Sequence, residues 1–478
     1  MTVRPDPPAS LRVIDVDPRG FRAAVERIAD AGGRVQALFA AHPGTGLEVR
    51  CAATDGDGDV LLRCPAAGAT VDSLVGLVPA LGWDEREARD LYGVTFAGHS
   101  PHRPLVHRPA GLAEWTTPVH GEDVHQVAVG PIHAGVIESG HFRFHVVGER
   151  VLKLDPQLFS KHRGLERTAE GRAPGQARAV IQRACAACAV TNTVAYAQAV
   201  EQSRGLWPDD DLRRMRTLLL ELERMYNHLN DIGAVCAGIG FAAGTMIFAA
   251  FKERAQRVNM GLFGHRFLFD AVGVGAGAAA LDRDEAARAR GDVDDLRRDA
   301  LRAWRQVLFD ASVRDRLVGA GPLPTAVAAR LGTVGPQARA SGLTHDVREE
   351  SPRLWYPGFR AALPPEPAGD VAARVEARAV ELEATFAIVD DLLADPPGPG
   401  ATTARDPAGR FGVGRVESPR GETVCAVELD GDTVARVHLR TGSYANWPSV
   451  ARAAEGGIVP DFPLINKSFE LCYACVDR

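Results

Sequence analysis

Two Cys-x-x-Cys pairs, Cys185/Cys188 and Cys472/Cys475, stand nearly three hundred residues apart in this chain. Each spacing lets two thiolates approach one metal from a single turn, and thiolate sulfur selects soft or borderline metals: zinc, copper(I), nickel and iron. Three plainer uses compete. A structural zinc held by four cysteines is the commonest, although its ligands usually lie closer in sequence. A redox dithiol needs only one pair, and buried inert thiols need no pattern at all. The other cysteines, Cys51, Cys64, Cys236 and Cys425, sit singly in apolar stretches and read as small core residues. The opening MTVRPDPPAS has neither a basic n-region nor an apolar h-region, so no signal peptide is expected. Eight cysteines without a secretion signal point away from a disulfide framework.

A length of 478 residues is too great for one ordinary core and predicts two or three domains. Hydrophobic residues at 46% and charged residues at 24% are globular values, so burial can offset chain entropy. The net charge of -6 gives no reason to expect nucleic acid or an anionic membrane surface as partner. Ile232 to Phe251 carries no charge and is long enough to span a bilayer. It is rich in Ala and interrupted by Gly233, Gly238, Gly240 and Gly244, so a buried helix pair broken near Gly238–Gly240 is the expected form.

The expected fold class is α+β: a small α/β domain, then a larger, mainly helical domain with β-hairpins at its periphery. Phe21, Val25 and Ile28 give one apolar helical face, and VQALFA (35–40), LEVRCA (47–52) and VLLRC (60–64) read as strands. Residues 1–108 form the first domain in this reading. A linker, or a strap across a partner, 109–124, closes a proline-rich stretch of little periodicity, and 125–478 form the second domain. HFRFHVVGERVLKLD alternates and turns at Gly148–Glu149. Leu212, Met215, Leu219, Leu222, Met225 and Leu229 make one stripe on a long helix. Another helix is expected from Asp370 to about 393, and a second hairpin turning at Asp430–Gly431. The glycines of 272–277 follow no strand and predict a flexible loop, not a dinucleotide fingerprint.

The chain resembles two related families. Trp83-Asp-Glu-Arg-Glu, Asp90-Leu-Tyr-Gly and Phe96-Ala-Gly-His99 look like the signature of the thirty-kilodalton subunit of complex I. Gly130-Pro-Ile-His-Ala-Gly-Val-Ile-Glu-Ser-Gly-His-Phe-Arg-Phe144 and Lys161-His-Arg-Gly-Leu-Glu166 resemble the large subunit of energy-converting nickel–iron hydrogenases of the formate hydrogenlyase type. Arg183-Ala-Cys-Ala-Ala-Cys188, Gly335-Pro-Gln-Ala-Arg-Ala-Ser-Gly342, Glu417-Ser-Pro-Arg-Gly-Glu422 and Leu471-Cys-Tyr-Ala-Cys475 continue the match in the family's order. The forty-nine-kilodalton subunit of complex I is homologous but lacks the four cysteines.

That resemblance implies roles. Cys188 and Cys475 would bridge nickel and iron, Cys185 and Cys472 would bind nickel alone, and the iron's diatomic ligands would come with the cofactor. Glu138 would carry protons, its acidity weakened by apolar neighbours such as Val136 and Ile137. Arg420 would stand above the open metal position. Arg163 and His133 belong to the region facing an iron–sulfur small subunit, and His133 falls where complex I has a quinone-contacting histidine. The chain departs from the family at Ala186–Ala187, where glycine is usual, at Glu470–Leu471, where Asp-Pro is usual, and at Asn192. There the family has a histidine that hydrogen-bonds a metal thiolate, and an amide can donate a hydrogen bond but cannot carry a proton. The family also loses a C-terminal tail after nickel insertion, so the end at Arg478 implies either that processing has occurred or that the step is absent. Hydrogen would thus be interconverted with protons and electrons at the cytoplasmic face of the plasma membrane. No cysteine is left for an iron–sulfur cluster in this chain, so electrons would pass to the iron–sulfur partner. Antiporter-like membrane subunits, and a formate dehydrogenase or another electron donor, complete the implied partners. The alternatives are a metal-free relative of complex I, coupling a quinone or other carrier to ion movement, and a zinc-stapled scaffold.

Overall fold

The computed structural model describes residues 11–44, 46–66, 68, 70–100, 102–107, 111, 114–133, 138–277 and 280–478. In the N-terminal unit the strands Arg34–Ala41, Glu48–Asp55 and Gly58–Pro65 form an antiparallel meander, and Arg12–Asp15 adds in parallel to the last of them. Alternation along each strand places two apolar sets on opposite faces, so both faces must be covered. Phe21, Val25 and Ile28 of the helix Phe21–Asp30 pack on one, beside Leu38, Cys51 and Leu62. Ala37, Phe39, Ala52 and Leu61 on the other meet Val413, Val424 and Ala426 of the larger unit. The expected helix and three strands are all present.

The larger unit is built on helices. Asp210–Gly238, Ala242–Phe263, Arg283–Phe309 and Val371–Ala394 pack together. The predicted stripe from Leu212 to Leu229 is almost fully buried among them. Asp209, Asp282 and Asp370 each cap a helix, accepting backbone N–H bonds from its first turn. The uncharged stretch is a helix pair broken at Ile239–Phe241, with Gly240 in the left-handed region, as expected, but Met246 and Ile247 on the second helix are exposed. Among the described residues no helix is long and apolar enough to cross a membrane.

Each hairpin gains a strand. His125–Val129 joins the hairpin of His141–Val147 and Arg150–Gln157. Phe411–Ser418 joins that of Gly421–Asp430 and Thr433–Arg440. The second sheet lies between the N-terminal sheet and the helix Ala189–Ser203. A Cβ on Gly414 would lie 1.9 Å from the Ala195 carbonyl oxygen, so only glycine permits that helix to rest directly on the strand.

Two expectations change. The described part of the proline-rich stretch straps across this chain's own larger unit. Thr117 N–H donates to Asp155 Oδ2 at 2.7 Å, Trp115 is buried against His141, and Leu105 enters the core. The glycine loop at 272–277 is pinned rather than free: Gly275 N–H donates to Glu201 at 2.8 Å, Arg216 donates to the Gly273 carbonyl at 3.2 Å, and Val272 bridges to Gly277.

Candidate metal centre

The first cysteine pair occupies the entry to the helix Ala189–Ser203, and helix Asp210–Gly238 fixes it there. Glu223, Asn227 and Asp231 recur every fourth residue and so share one face of that helix. Glu223 accepts from Val190 N–H at 2.7 Å and Thr191 N–H at 3.1 Å, satisfying the open end of the following helix, and burial pushes its carboxyl up to about 7. Asn227 donates to the Ala187 carbonyl at 2.8 Å, inside the first pair. The second pair follows helix Phe462–Phe469, which ends at Glu470 in the left-handed region. Cys472 N–H donates to Ser443 Oγ at 3.0 Å, and Cys475 lies in the one-turn helix Ala474–Asp477.

The two pairs meet. One sulfur from each of Cys185, Cys188, Cys472 and Cys475 lies within 4.8 Å of all the others, and Cys188 and Cys472 are 3.8 Å apart. Three of the four are buried and Cys472 is half-buried. Hydrogen bonding from the other thiols, and Arg420 nearby, hold Cys472 well below the ordinary thiol range, while the same crowding pushes Cys188 up. The isolated Cys51, Cys64, Cys236 and Cys425 are buried, and burial pushes their thiols up, as inert core residues should be.

Arg420 is on the two-residue turn between strands Phe411–Ser418 and Gly421–Asp430. Its guanidinium is buried, 2.5 Å from Asp231 Oδ2 and 3.1 Å from Asn227 Oδ1. Burial opposes its charge, but Asp231, Cys472 and Cys188 hold it well above the ordinary value. Glu470, pushed up to about 7 by burial and by Asp231, accepts from Asn230, which in turn accepts from Lys252 at 2.9 Å.

Arg163 donates to the carbonyls of Arg183 and Ala184 beside the first pair and of Ala474 inside the second, at 3.1, 2.7 and 3.1 Å. One guanidinium thus ties both loops. His133, lowered by burial, lies 3.4 Å from the hydroxyl of Tyr473, within the second pair. Glu138 is half-buried and close enough to Asp477 for its charge to help burial raise that carboxyl to about 6. Val136 and Ile137, expected to shield Glu138, lie outside the described residues. Asn192 is fully buried one turn after Cys188, and neither its amide oxygen nor its nitrogen has a partner among the described residues.

Four convergent thiols beside a fixed guanidinium suit a soft metal centre. The unpaired Asn192 amide and Arg420 Nε are buried polar atoms that a bound group could satisfy. Glu223, Asn227, Asp231 and Asp477 were not singled out from sequence, where Glu470 stands only as a departure from the family's Asp-Pro. The four-residue recurrence of the first three was the available signal, masked by the stronger apolar stripe on the same helix.

The comparisons with known proteins agree with this architecture. The family of the respiratory-chain NADH dehydrogenase 49 Kd subunit matches residues 239–412 and 401–478, that of the 30 Kd subunit matches 14–119, and that of the nickel-dependent hydrogenases matches 163–231. The chain therefore belongs to the oxidoreductase family that unites large subunits of membrane-bound nickel–iron hydrogenases with the complex I 49 Kd subunit, with a 30 Kd-type domain fused at its N-terminal side. It is 30% identical over 438 residues to formate hydrogenlyase subunit 5 of Escherichia coli, covering 85% of this chain and 76% of that one. Against a fused NADH-quinone oxidoreductase protein of Rhodopseudomonas palustris it is 27% identical, covering 88% of this chain and 84% of that one. A chain of the membrane-bound sulfane sulfur reductase, an archaeal respiratory membrane complex, superposes with a TM-score of 0.66 at 26% identity, covering 76% of this chain and all of that one.

Proposed function

We propose that this chain is the metal-bearing large subunit of a membrane-associated nickel–iron hydrogenase. It would interconvert hydrogen with protons and electrons, attached peripherally at the cytoplasmic face through partner subunits. The observation that carries the reading is the convergence of four thiols from two distant pairs, close enough to Arg420 for Cys472 and Cys188 to act on its charge. Cys185, Cys188, Cys472 and Cys475 would hold nickel and iron, which when bound supply the cleavage and formation of the hydrogen–hydrogen bond. Glu138 would accept and release protons at its carboxyl oxygens. Arg420, held by Asp231 and Asn227, would keep a fixed positive charge beside the thiolates without reorganising. Arg163 would hold the two cysteine loops together, and electrons would leave to an iron–sulfur small subunit. Measuring nickel, iron and zinc in the complex matured with its accessory proteins tests the reading. Nickel and iron in equal amounts are expected, and one zinc per chain without nickel would overturn it.

The Asn192 amide favours a second reading. Where the family's histidine would bond a thiolate, its amide has no partner among the described residues, which suits a relative that binds metal in a respiratory complex without turning over hydrogen. Hydrogen–deuterium exchange by the nickel-loaded complex separates the two.

A further inference from the structure

The helix Ala474–Asp477 carries Cys475 into the tetrad, and the next residue, Arg478, enters the boundary between the two units. Its side chain is 3% exposed there. One guanidinium nitrogen lies 3.0 Å from Glu166 Oε1 of the larger unit and donates also to the Leu439 carbonyl. The other lies 2.5 Å from Glu87 Oε2, on the N-terminal unit's helix Gly82–Tyr92. The guanidinium stacks over Tyr444, 4.8 Å from the ring centre. Arg436 completes the cluster, 2.8 Å from Glu166 Oε2.

Glu87, Glu166 and His438 offer ligand atoms within 4.8 Å of one another, the spacing of a metal site. Two guanidiniums already neutralise the two carboxylates, however, so nothing draws a cation there. The cluster is an ion-pair junction between the domains. Arg163 holds both ends of the same turn, the Ala474 carbonyl with its guanidinium and the Arg478 carbonyl with its backbone N–H at 3.0 Å.

We propose that Glu87, acting through Arg478, is a positioning residue for the metal-binding cysteines, so that the N-terminal domain completes the metal centre by holding Cys475 in place. This rests on the reading of the tetrad as a metal centre. A one-turn helix has no stability of its own and takes its geometry from what anchors it. Removing the Glu87 charge leaves a buried guanidinium undercompensated, and the segment must shift to rehydrate it. Cys475 is three residues away, and thiolate ligation tolerates little displacement.

Cobalt(II) titration of the full chain purified without metal tests this, because thiolate-to-cobalt charge transfer and the ligand-field bands report ligation independently of turnover. Glu87→Gln and Arg478→Met are expected to weaken cobalt binding about ten- to a hundred-fold and to alter the ligand-field bands. Arg478→Lys should recover part of the loss, since it keeps the charge without the two-pronged geometry. Arg50→Met breaks a different ion pair at the same boundary, Arg50–Glu428 at 2.8 Å, and should bind as wild type does. If Glu87→Gln does not fold, Arg478→Lys carries the test, with a few-fold loss expected. Unchanged binding in the folded junction variants, or an equal loss in Arg50→Met, would overturn the proposal. Wild-type protein that takes no cobalt at its cysteines would instead remove the metal-centre reading on which the proposal stands.

Discussion

Glu138 and Asp477 bring two carboxyl groups into electrostatic contact beside the helix that carries Cys475. Replacing Glu138 with Gln keeps its shape and an acceptor oxygen but removes a group that can bind or release a proton. In a working hydrogenase this variant should retain both metals and lose hydrogen–deuterium exchange by about a hundred-fold or more. Exchange at the wild-type rate would place the proton path elsewhere. Asn192→His should act in the other sense, since an imidazole could supply the thiolate hydrogen bond and give an unpaired buried position a partner. A rise in exchange rate or oxygen tolerance by a modest factor, with metal content unchanged, is expected; a fall would show the pocket is shaped for the amide. The cysteine pairs were legible because their spacing is local, whereas Glu138 and Arg420 stood out only through the family motifs that contain them. Glu223 and Asp231 were not, because their roles lie in what other segments bring to them.

On the scale of elements, the apolar stripe of helix Asp210–Gly238 was readable from its period, but its charged residues were not. Arg224, Glu221, His228 and Asp231 are all buried on the same helix, and Arg339 joins Glu381, Asp346 and Glu417 at 2.6 to 3.0 Å. Sequence offers no sign of such burial, because the compensating charge comes from elements far along the chain. The contact between helix Ala189–Ser203 and strand Phe411–Ser418 is similar. Nothing in the sequence marks Gly414, and only the fold shows the helix lying against it. Gly414→Ala should destabilise the full chain by about 1–3 kcal/mol in thermal or urea unfolding. Because that helix follows Cys188 directly, metal retention should fall with it. An unchanged melting temperature would show that the helix can shift without cost.

Across the whole molecule, the N-terminal unit grips the larger one through buried ion pairs as well as apolar contact. Arg34 pairs with Glu422 at 2.6 Å and Asp84 with Arg440 at 2.8 Å. His345 sits in the same boundary, beside Arg34 and within 3.2 Å of Glu350 and 3.7 Å of Glu422. Burial and the neighbouring Arg34 charge pull its imidazolium down, but Glu350 and Glu422 more than offset them and raise it to about 9. A group raised in the folded state stabilises it fully below its unfolded value of roughly 6.5, and that contribution disappears as the pH climbs through 9. Wild type should therefore exceed His345→Gln in stability by about 2 kcal/mol near pH 6, with the gap closing above pH 9. A gap in melting temperature that is flat across this range would show that the histidine is not protonated in the folded protein.

Periodicity, turn pairs and Cys-x-x-Cys spacing act over a few residues, so the local elements and the four thiols that converge were readable from the chain alone. The sequence also determined the family, because the motifs stand in a fixed order along the chain. Which charges are buried, that the proline-rich stretch lies on its own chain, and that Glu87 meets Arg478 behind the second cysteine pair became visible only in the folded chain. Burial of a charge depends on a partner brought from hundreds of residues away, and no local pattern records where that partner will be.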